Sequence, residues 1–410
     1  MLTLDEALSR LLAAVAPLPA TESEPLATFD ALGRVLAADV RSALDVPPAD
    51  NTSMDGYALR RADVPAAGAV LPVTQRIPAG VVGAALAEGS AARIFTGAQV
   101  PAGADAIVMQ EQCTALDDGR VRIDTVPEPG QWIRRRGEDV CARSVVLAAG
   151  ARLGPQALGL AASVGAARLM VMRRPRVALF STGDELAMPD ETPPELLRPG
   201  AIYNSNRYTL RGLLQQAGCE VTDCGIVPDR LDATRAALRG AAAGHDLILT
   251  SGGVSVGEED HLRPAAQAEG RIDLWQMAIK PGKPLAFGAI RNDGAARETL
   301  LLGLPGNPVS SFVTFLLVVR PLLRRLLGMA DTAPRAVALK AAFDWPRPDR
   351  RREFLRARLN GAGELELFAN QSSGVLTSAV WADGLVDNPP SQAIARGDAV
   401  RFLPFSELMS

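Results

Sequence analysis

Residues 245–261 read HDLILTSGGVSVGEEDH. An apolar run ends in hydroxyls and glycines, then passes into three consecutive acids, Glu258, Glu259 and Asp260. The first half predicts a β-strand covered on both faces, since a short continuous apolar run bounded by turn residues suits a buried parallel strand. Working outward, RVALFS (176–181), EVTDCGIV (220–227), PLAFGAI (284–290) and TLLLGLPG (299–306) predict further strands. NSNRYTLRGLLQQAG (204–218), RLDATRAALRGAA (230–242) and PVSSFVTFLLVVRPLLRRLLG (308–328) predict helices. Alternation of this kind predicts a multidomain α/β protein whose central domain is a mostly parallel, doubly wound sheet. In such sheets ligands bind at the carboxyl ends of the strands.

At 410 residues the chain is too long for one core, and two to four domains are expected. Residues 41–139 are rich in Pro and Gly, with short strand-like runs PVTQRIP, AARIFTG and GRVRIDTV, and predict an inserted β-rich domain. The Ala/Leu-rich flanks 1–40 and 140–174 predict a helical and linker domain assembled from both sides of that insertion. Residues 175–328 form the α/β domain. From 329 to 410, RAVALKAAFDW, FLRARL, ELELFAN, GVLTSAV and AVRFLPF predict an antiparallel β-barrel.

Composition excludes several function classes. The chain has 43 Lys and Arg against 46 Asp and Glu, a net charge of -3, with Arg134–Arg136 as its nearest approach to a basic patch. Nucleic-acid binding is not expected, because phosphate backbones call for clustered excess cations. The start, MLTLDEALSRLLAAV, carries acids where a secretory leader carries bases, and Thr3 with Glu6 forms a capping-box pattern. FVTFLLVV (312–319) is far short of a bilayer span, so no membrane association and a cytoplasmic location are expected. Four cysteines without a CxxC pair and only two histidines argue against a His/Cys zinc site. A bound metal would take oxygen ligands.

Three strands deliver Gly-containing polar loops to one sheet edge: TGDEL (182–186), GGVSVGEED (252–260) and LPGNPVSS (304–311). Thr250, Ser251, Gly252, Gly253 and Ser255 combine hydroxyls with unobstructed backbone N–H groups, a nest for phosphate or another oxyanion; a plain tight turn is the alternative. In IKPGKP, Lys280 and Lys283 flank a stiff Pro-Gly turn, placed either to face a compact dianion or to lie solvated at the surface. Asp184 and Glu185 after the first strand, with Glu258, Glu259 and Asp260 after the third, would repel a phosphate in that nest unless a hard cation such as Mg2+ lay between. Glu258 or Glu259 fits better as a charge at the start of the next helix. In the inserted domain, Asp55 sits in a DG turn and Thr96 at a strand end, while Asp139 follows three arginines.

The ordered series NTSMDGYALR, IFTGAQVPAGADAIVMQE, RRRGEDV, FSTGDEL, YNSNRY, TSGGVSVGEED, KPGKP, GLPGNPVSSF and RREFLRA resembles the molybdopterin molybdenumtransferases, the MoeA and gephyrin E-domain family. The resemblance implies insertion of molybdate into adenylylated molybdopterin with release of AMP, Mg2+ being required. It also implies a homodimer whose active site lies between the α/β domain of one subunit and the inserted domain of the other. An upstream adenylyltransferase and recipient molybdoenzymes would be its partners. The family's functional acids fall on Asp55, Asp139, Glu185 and Asp260, and its threonine on Thr96. Molybdate handling falls on Lys280, Lys283, Ser310 and Arg351, with Ser372 or Ser373 as the C-terminal serine. His261 stands where a tyrosine is common, and QSSGVLTS departs from the usual glycine-serine-histidine pattern. A scaffold that binds the pterin without turnover, or an enzyme cleaving another adenylylated substrate, are the competing expectations.

Overall fold

Leu247 and Leu249 point to one side of their strand and Ile248 to the other, and all three are fully buried. This two-faced burial follows from the period-2 alternation of a strand lying between helical layers. The structure, a computed structural model, describes residues 1–254, 261–292 and 297–409. The chain folds as two compact units, one of Met1–Glu24, Gly33–Ala37 and Met172–Ser410, the other of Pro25–Leu32 and Ala38–Val171.

In the first unit, β1 (Arg176–Thr182), β2 (Glu220–Val227), β3 (Leu247–Ser251), β4 (Gly270–Gln276), β5 (Pro284–Ile290) and β6 (Thr299–Leu304) form one sheet in the order β2-β1-β3-β6-β5-β4. The first four in that order are parallel, and β5 and β4 continue as an antiparallel edge. Helices α1 (Ser205–Gln216), α2 (Leu231–Ala242) and α3 (Leu262–Glu269) divide between the faces. Leu210 and Leu213 of α1 pack with Val177, Leu179 and Leu302 on one side. Leu238 of α2 and Leu262 of α3 pack with Phe180, Ile248 and Leu301 on the other. The helix expected over 308–328 runs as α-helix Pro308–Thr314, a π-turn Phe315–Val319, and α-helix Arg320–Leu326. The N-terminal helix Leu4–Ala14 carries the expected capping box, with Thr3 and Glu6 bonded reciprocally.

The C-terminal segment of the same unit is a six-stranded sheet containing Val337–Lys340, Arg352–Leu359, Gly384–Asn388 and Ala399–Pro404. A bridge between Ala341 and Leu365 curls it into a half-barrel around Phe343, Leu355, Val386 and Phe402. GVLTSAV, expected as a strand, instead contributes to a short helix, Thr377–Trp381. Its alternation fails because Ser378 is the fully buried position, bonding the Val375 carbonyl and the Arg356 guanidinium. The sheet's outermost strand is Ile279–Lys280, which pairs in parallel with Arg352–Glu353.

The second unit is built on a six-stranded sheet in which Gly56–Leu59 lies between Ala106–Met109 and Ala91–Ile94. Tyr57, Leu59, Val108 and Val121 fill one face, and Ala58, Ile77, Ile94 and Ile107 the other. Within it distant segments meet, the Thr28 amide donating to the Ala167 carbonyl at 3.0 Å.

At the amino end of β3, Asp246 accepts from both terminal nitrogens of Arg173, at 2.7 and 2.8 Å, and from the Arg176 amide at 2.8 Å. Arg173 also holds Glu22, fastening the N-terminal segment to the sheet. Burial raises the Asp246 pKa, but Arg173 and the Arg176 amide outweigh it and the net shift is downward. A carboxylate whose folded pKa lies below its unfolded value stabilises the protein above roughly pH 4 and loses that contribution as pH falls. Asp246→Asn is expected to destabilise the protein by about 3 kcal/mol at neutral pH and to flatten the acid limb of its stability profile. Urea melts from pH 7 down to pH 3 would check both; an unchanged acid limb would count against the pairing.

Candidate active site

Strands β1, β3 and β6 lie side by side, in a register that sets Ser251 opposite Ser181 and Leu304. Their carboxyl ends therefore open into one cavity of about 720 Å3. Glu185, Gly252, Gly253, Lys280, Lys283, Ser310 and Arg351 all line it, as do Ser372 and Ser373. Thr250 and Ser251 stay inside β3, fully buried, with their hydroxyls outside the cavity lining. Ser255 and Asp260 lie outside the described residues. Asp55, Thr96 and Asp139 belong to the second compact unit.

Backbone geometry makes the glycines necessary. Gly252 has φ +89°, and a Cβ there would stand 2.7 Å from the Thr182 carbonyl oxygen. Gly282, between the two lysines, has φ +106° and approaches Thr314, whose hydroxyl would be 2.5 Å from a Cβ. Both positions exclude a side chain sterically as well as conformationally.

The cations are held from beneath. Lys280 lies opposite Glu353 in the parallel pairing, and its Nζ sits 3.3 Å from Glu353 Oε1 and 3.5 Å from Asp349 Oδ2. Glu353 is fully buried, its second oxygen accepting from the Trp345 indole at 2.8 Å and the Asp349 amide at 3.0 Å. Arg351 forks onto Asp349 at 3.0 and 2.8 Å. That fork, joined by Lys280, holds the Asp349 carboxyl well below the usual carboxylate range despite partial burial, and raises the Arg351 pKa in return. Three cations thus face two carboxylates at this corner, and Lys283 has no carboxylate partner among the described residues.

The cavity lining also carries acids. Asp229 and Glu185 line it, and Asp184 exchanges backbone-to-carboxylate bonds of 3.2 Å with Asp229. Burial first, then the charges of Asp184 and Glu185, push the Asp229 pKa up against the Asp184 amide. No cluster of three His, Cys, Asp or Glu able to hold a metal occurs among the described residues. One or two carboxylates on this cavity nevertheless fit Mg2+, which keeps several waters and takes most other oxygens from phosphates.

In the second unit, Asp55 accepts from the Thr96 amide at 2.8 Å and its hydroxyl at 2.7 Å, and these two bonds lower the Asp55 pKa. Asp139 is exposed, its amide bonded to the Val46 carbonyl.

Sequence reading missed Asn206, Asp229, Asp349 and Glu353. Asn206 is buried in α1 and donates at 2.7 Å both to Ser251 Oγ and to the Gly306 carbonyl, tying the loop after β6 to the end of β3. Its signal was the YNSNRY motif; Glu353 sits in RREF. Asp229 and Asp349 carry no local signal.

Three family profiles match in chain order: MoeA N-terminal region (domain I and II) over residues 2–165, probable molybdopterin binding domain over 178–325, and MoeA C-terminal region (domain IV) over 338–405. A molybdopterin molybdenumtransferase of Haemophilus influenzae is 37% identical over 426 aligned positions, covering 100% of both chains. One from Synechococcus elongatus is 38% identical, covering 93% of this chain and 95% of its own. The crystal structure of a molybdopterin biosynthesis moeA protein from Pyrococcus horikoshii superposes with a TM-score of 0.84 at 28% identity, covering 98% of this chain and 100% of that one.

Replacing Asn206 by Ala would leave the Ser251 hydroxyl and the Gly306 carbonyl without this donor. The expected loss is about 2 kcal/mol of stability, read by thermal melting. A melt within experimental error of the parent would show that Asn206 does not tie these loops.

Proposed function

The chain belongs to the molybdopterin molybdenumtransferase family, and we propose that it inserts molybdate into adenylylated molybdopterin with release of AMP. The carrying observation is the convergence of Lys280, Lys283, Arg351 and Ser310 with the Gly252–Gly253 turn in one cavity. Molybdate is a tetrahedral dianion, and Lys and Arg supply charge-assisted hydrogen bonds to its oxygens. Asp349 and Glu353 fix two of those cations before substrate arrives, so little ordering is left to the binding step.

The turn at Gly252–Gly253 lies against the phosphate end, its close approach allowed by the missing side chains, while the Gly252 N–H is itself taken by the Leu304 carbonyl at 3.1 Å. Glu185 and Asp229, with Asp260, would hold Mg2+, which when bound would supply positive charge to the phosphoanhydride oxygens. The balance closes. Two thiols replacing one oxo group on molybdate release one water, and cleavage of the anhydride consumes one. Asp55, Thr96 and Asp139 act from the partner subunit of a homodimer, the Thr96 bonds keeping Asp55 ionised and oriented. We read the protein as a cytoplasmic enzyme fed by an adenylyltransferase and discharging to cofactor-free molybdoenzymes. No helix among the described residues is long and apolar enough to cross a membrane.

The test is AMP release from adenylylated molybdopterin and Mg2+, with and without molybdate, coupled to reconstitution of a cofactor-free molybdoenzyme. Molybdate-stimulated AMP release with active product is expected. Tight substrate binding without either product would identify a binding scaffold, and release from unrelated adenylylated compounds would identify a different hydrolase. Lys283→Ala is expected to lower the molybdate-dependent rate at least about tenfold while leaving the melting temperature unchanged. For the shared site, dimers mixed from Asp55→Ala and Lys283→Ala chains should recover activity that neither homodimer has. Absence of recovery would place both residues in one chain's site.

A further inference from the structure

Asp55 stands just before the strand Gly56–Leu59 and Thr96 just beyond the strand Ala91–Ile94, antiparallel neighbours whose register sets Gly56 against Ile94 and Tyr57 against Arg93. The Thr96 amide and hydroxyl hold the Asp55 carboxylate, yet Thr96 is exposed and Asp55 only half-buried. Bonds between residues in solvent-facing turns open at little cost, so these two do not by themselves fix where the carboxylate points. A third residue, Arg93, reaches both turns from the strand between them.

Arg93 Nη1 donates at 2.8 Å to the carbonyl of Gly56, the residue after Asp55, and at 3.3 Å to the Ile94 carbonyl. Its Nη2 donates to the Gln110 side chain, and the Gln110 amide donates to the Asp55 carbonyl at 3.1 Å. The same guanidinium lies over the ring of Phe95, the residue before Thr96, 4.5 Å from its centroid, and 5.2 Å from that of Tyr57. Arg76 lies over the Phe95 ring as well, at 4.4 Å. A planar guanidinium bonds in its plane and stacks on its face at once, which a lysine ammonium does not. On its other side Gly56 runs so close to Val108 that a Cβ would stand 2.0 Å from the Val108 carbonyl oxygen. The peptide after Asp55 is therefore pinned between Arg93 and a neighbouring strand. No carboxylate pairs with Arg93 among the described residues. After the Thr96 amide and hydroxyl, its charge adds to the pull that keeps the Asp55 carboxyl below the usual carboxylate range.

We propose that Arg93 is the positioning residue of the Asp55–Thr96 pair. One guanidinium ties the peptide after Asp55, the ring before Thr96 and the side chain of Gln110 into a clamp that sets the direction of the Asp55 carboxylate. The inference rests on the reading of Asp55 as a group that acts in the reaction, and goes further in naming what orients it. In this role Arg93 acts through Gly56, Phe95 and Gln110 rather than on substrate.

The experiment measures molybdate-dependent AMP release by full-length wild type, Arg93→Gln, Arg93→Lys, Asp55→Ala and the Asp55→Ala/Arg93→Gln double variant, together with hydrogen exchange at the Thr96 amide of the resting proteins. Arg93→Gln is expected to lower kcat about tenfold with KM unchanged, and Arg93→Lys, which keeps the charge but not the fork, to fall between. In the Asp55→Ala background Arg93→Gln should cost nothing further, because no carboxylate remains to orient. Exchange at Thr96 should quicken in Arg93→Gln while exchange across Ala106–Met109 stays as in the wild type. Additive losses of rate, or unchanged Thr96 exchange in a folded Arg93→Gln protein, would overturn the proposal. Should Arg93→Gln fail to fold, Gln110→Ala decides, since it frees one corner of the clamp and keeps the Gln110 amide: quicker exchange at Thr96 is expected, and unchanged exchange would overturn the clamp. Full activity in Asp55→Ala would instead bring down the reading of Asp55, with Thr96 exchange still deciding whether Arg93 holds the pair.

Discussion

The site depends on two residues of parallel pairing. Where Ile279–Lys280 lies along Arg352–Glu353, the turn that leaves the α/β sheet becomes the edge strand of the C-terminal half-barrel. Glu353 is thereby buried directly opposite Lys280, with an indole and an amide satisfying its remaining oxygen. A buried carboxylate is tolerable only when so completely partnered. Lys280 is consequently a fixed feature of the cavity, and Arg351, one residue before the pairing, is brought to the same corner. Without this join Lys280 and Arg351 would not meet over Asp349 at the cavity.

The electrostatics follow from that geometry. Asp349 and Glu353 cancel part of the charge of Lys280 and Arg351 but fix their directions, so the corner trades field strength for preorganisation. Lys283 has no carboxylate partner among the described residues. The group of Asp184, Glu185 and Asp229 is self-repelling, as the upward shift of Asp229 records. A cavity lined by both cations and carboxylates suits a substrate pair that brings an oxyanion and a phosphate-bound cation.

Much of this was legible in the sequence because strands and their loops are local. LILTS followed by GG, and LLLG by LPGNP, announce a strand end and a tight turn, and parallel order then brings the loops together. Lys280, Lys283 and Ser310 were readable for the same reason. Thr250 and Ser251 show the limit: residues adjacent in the motif alternate across a strand, and both hydroxyls face the interior rather than the cavity. GVLTSAV misled because its alternation is cancelled by one buried hydroxyl bonded to Arg356. The placement of Asp349 and Asp229 depends on contacts between distant segments, which no short pattern encodes.

The proposed function requires one cavity to hold both the oxyanion and the phosphate. A crystal structure of the wild-type protein with adenylylated molybdopterin and tungstate, located by tungsten anomalous scattering, would decide it. The expected result is a tungsten peak among Lys283, Ser310 and Arg351 with substrate phosphate against Gly252–Gly253. Tungsten bound away from those three residues, or phosphate in the cationic corner, would contradict it.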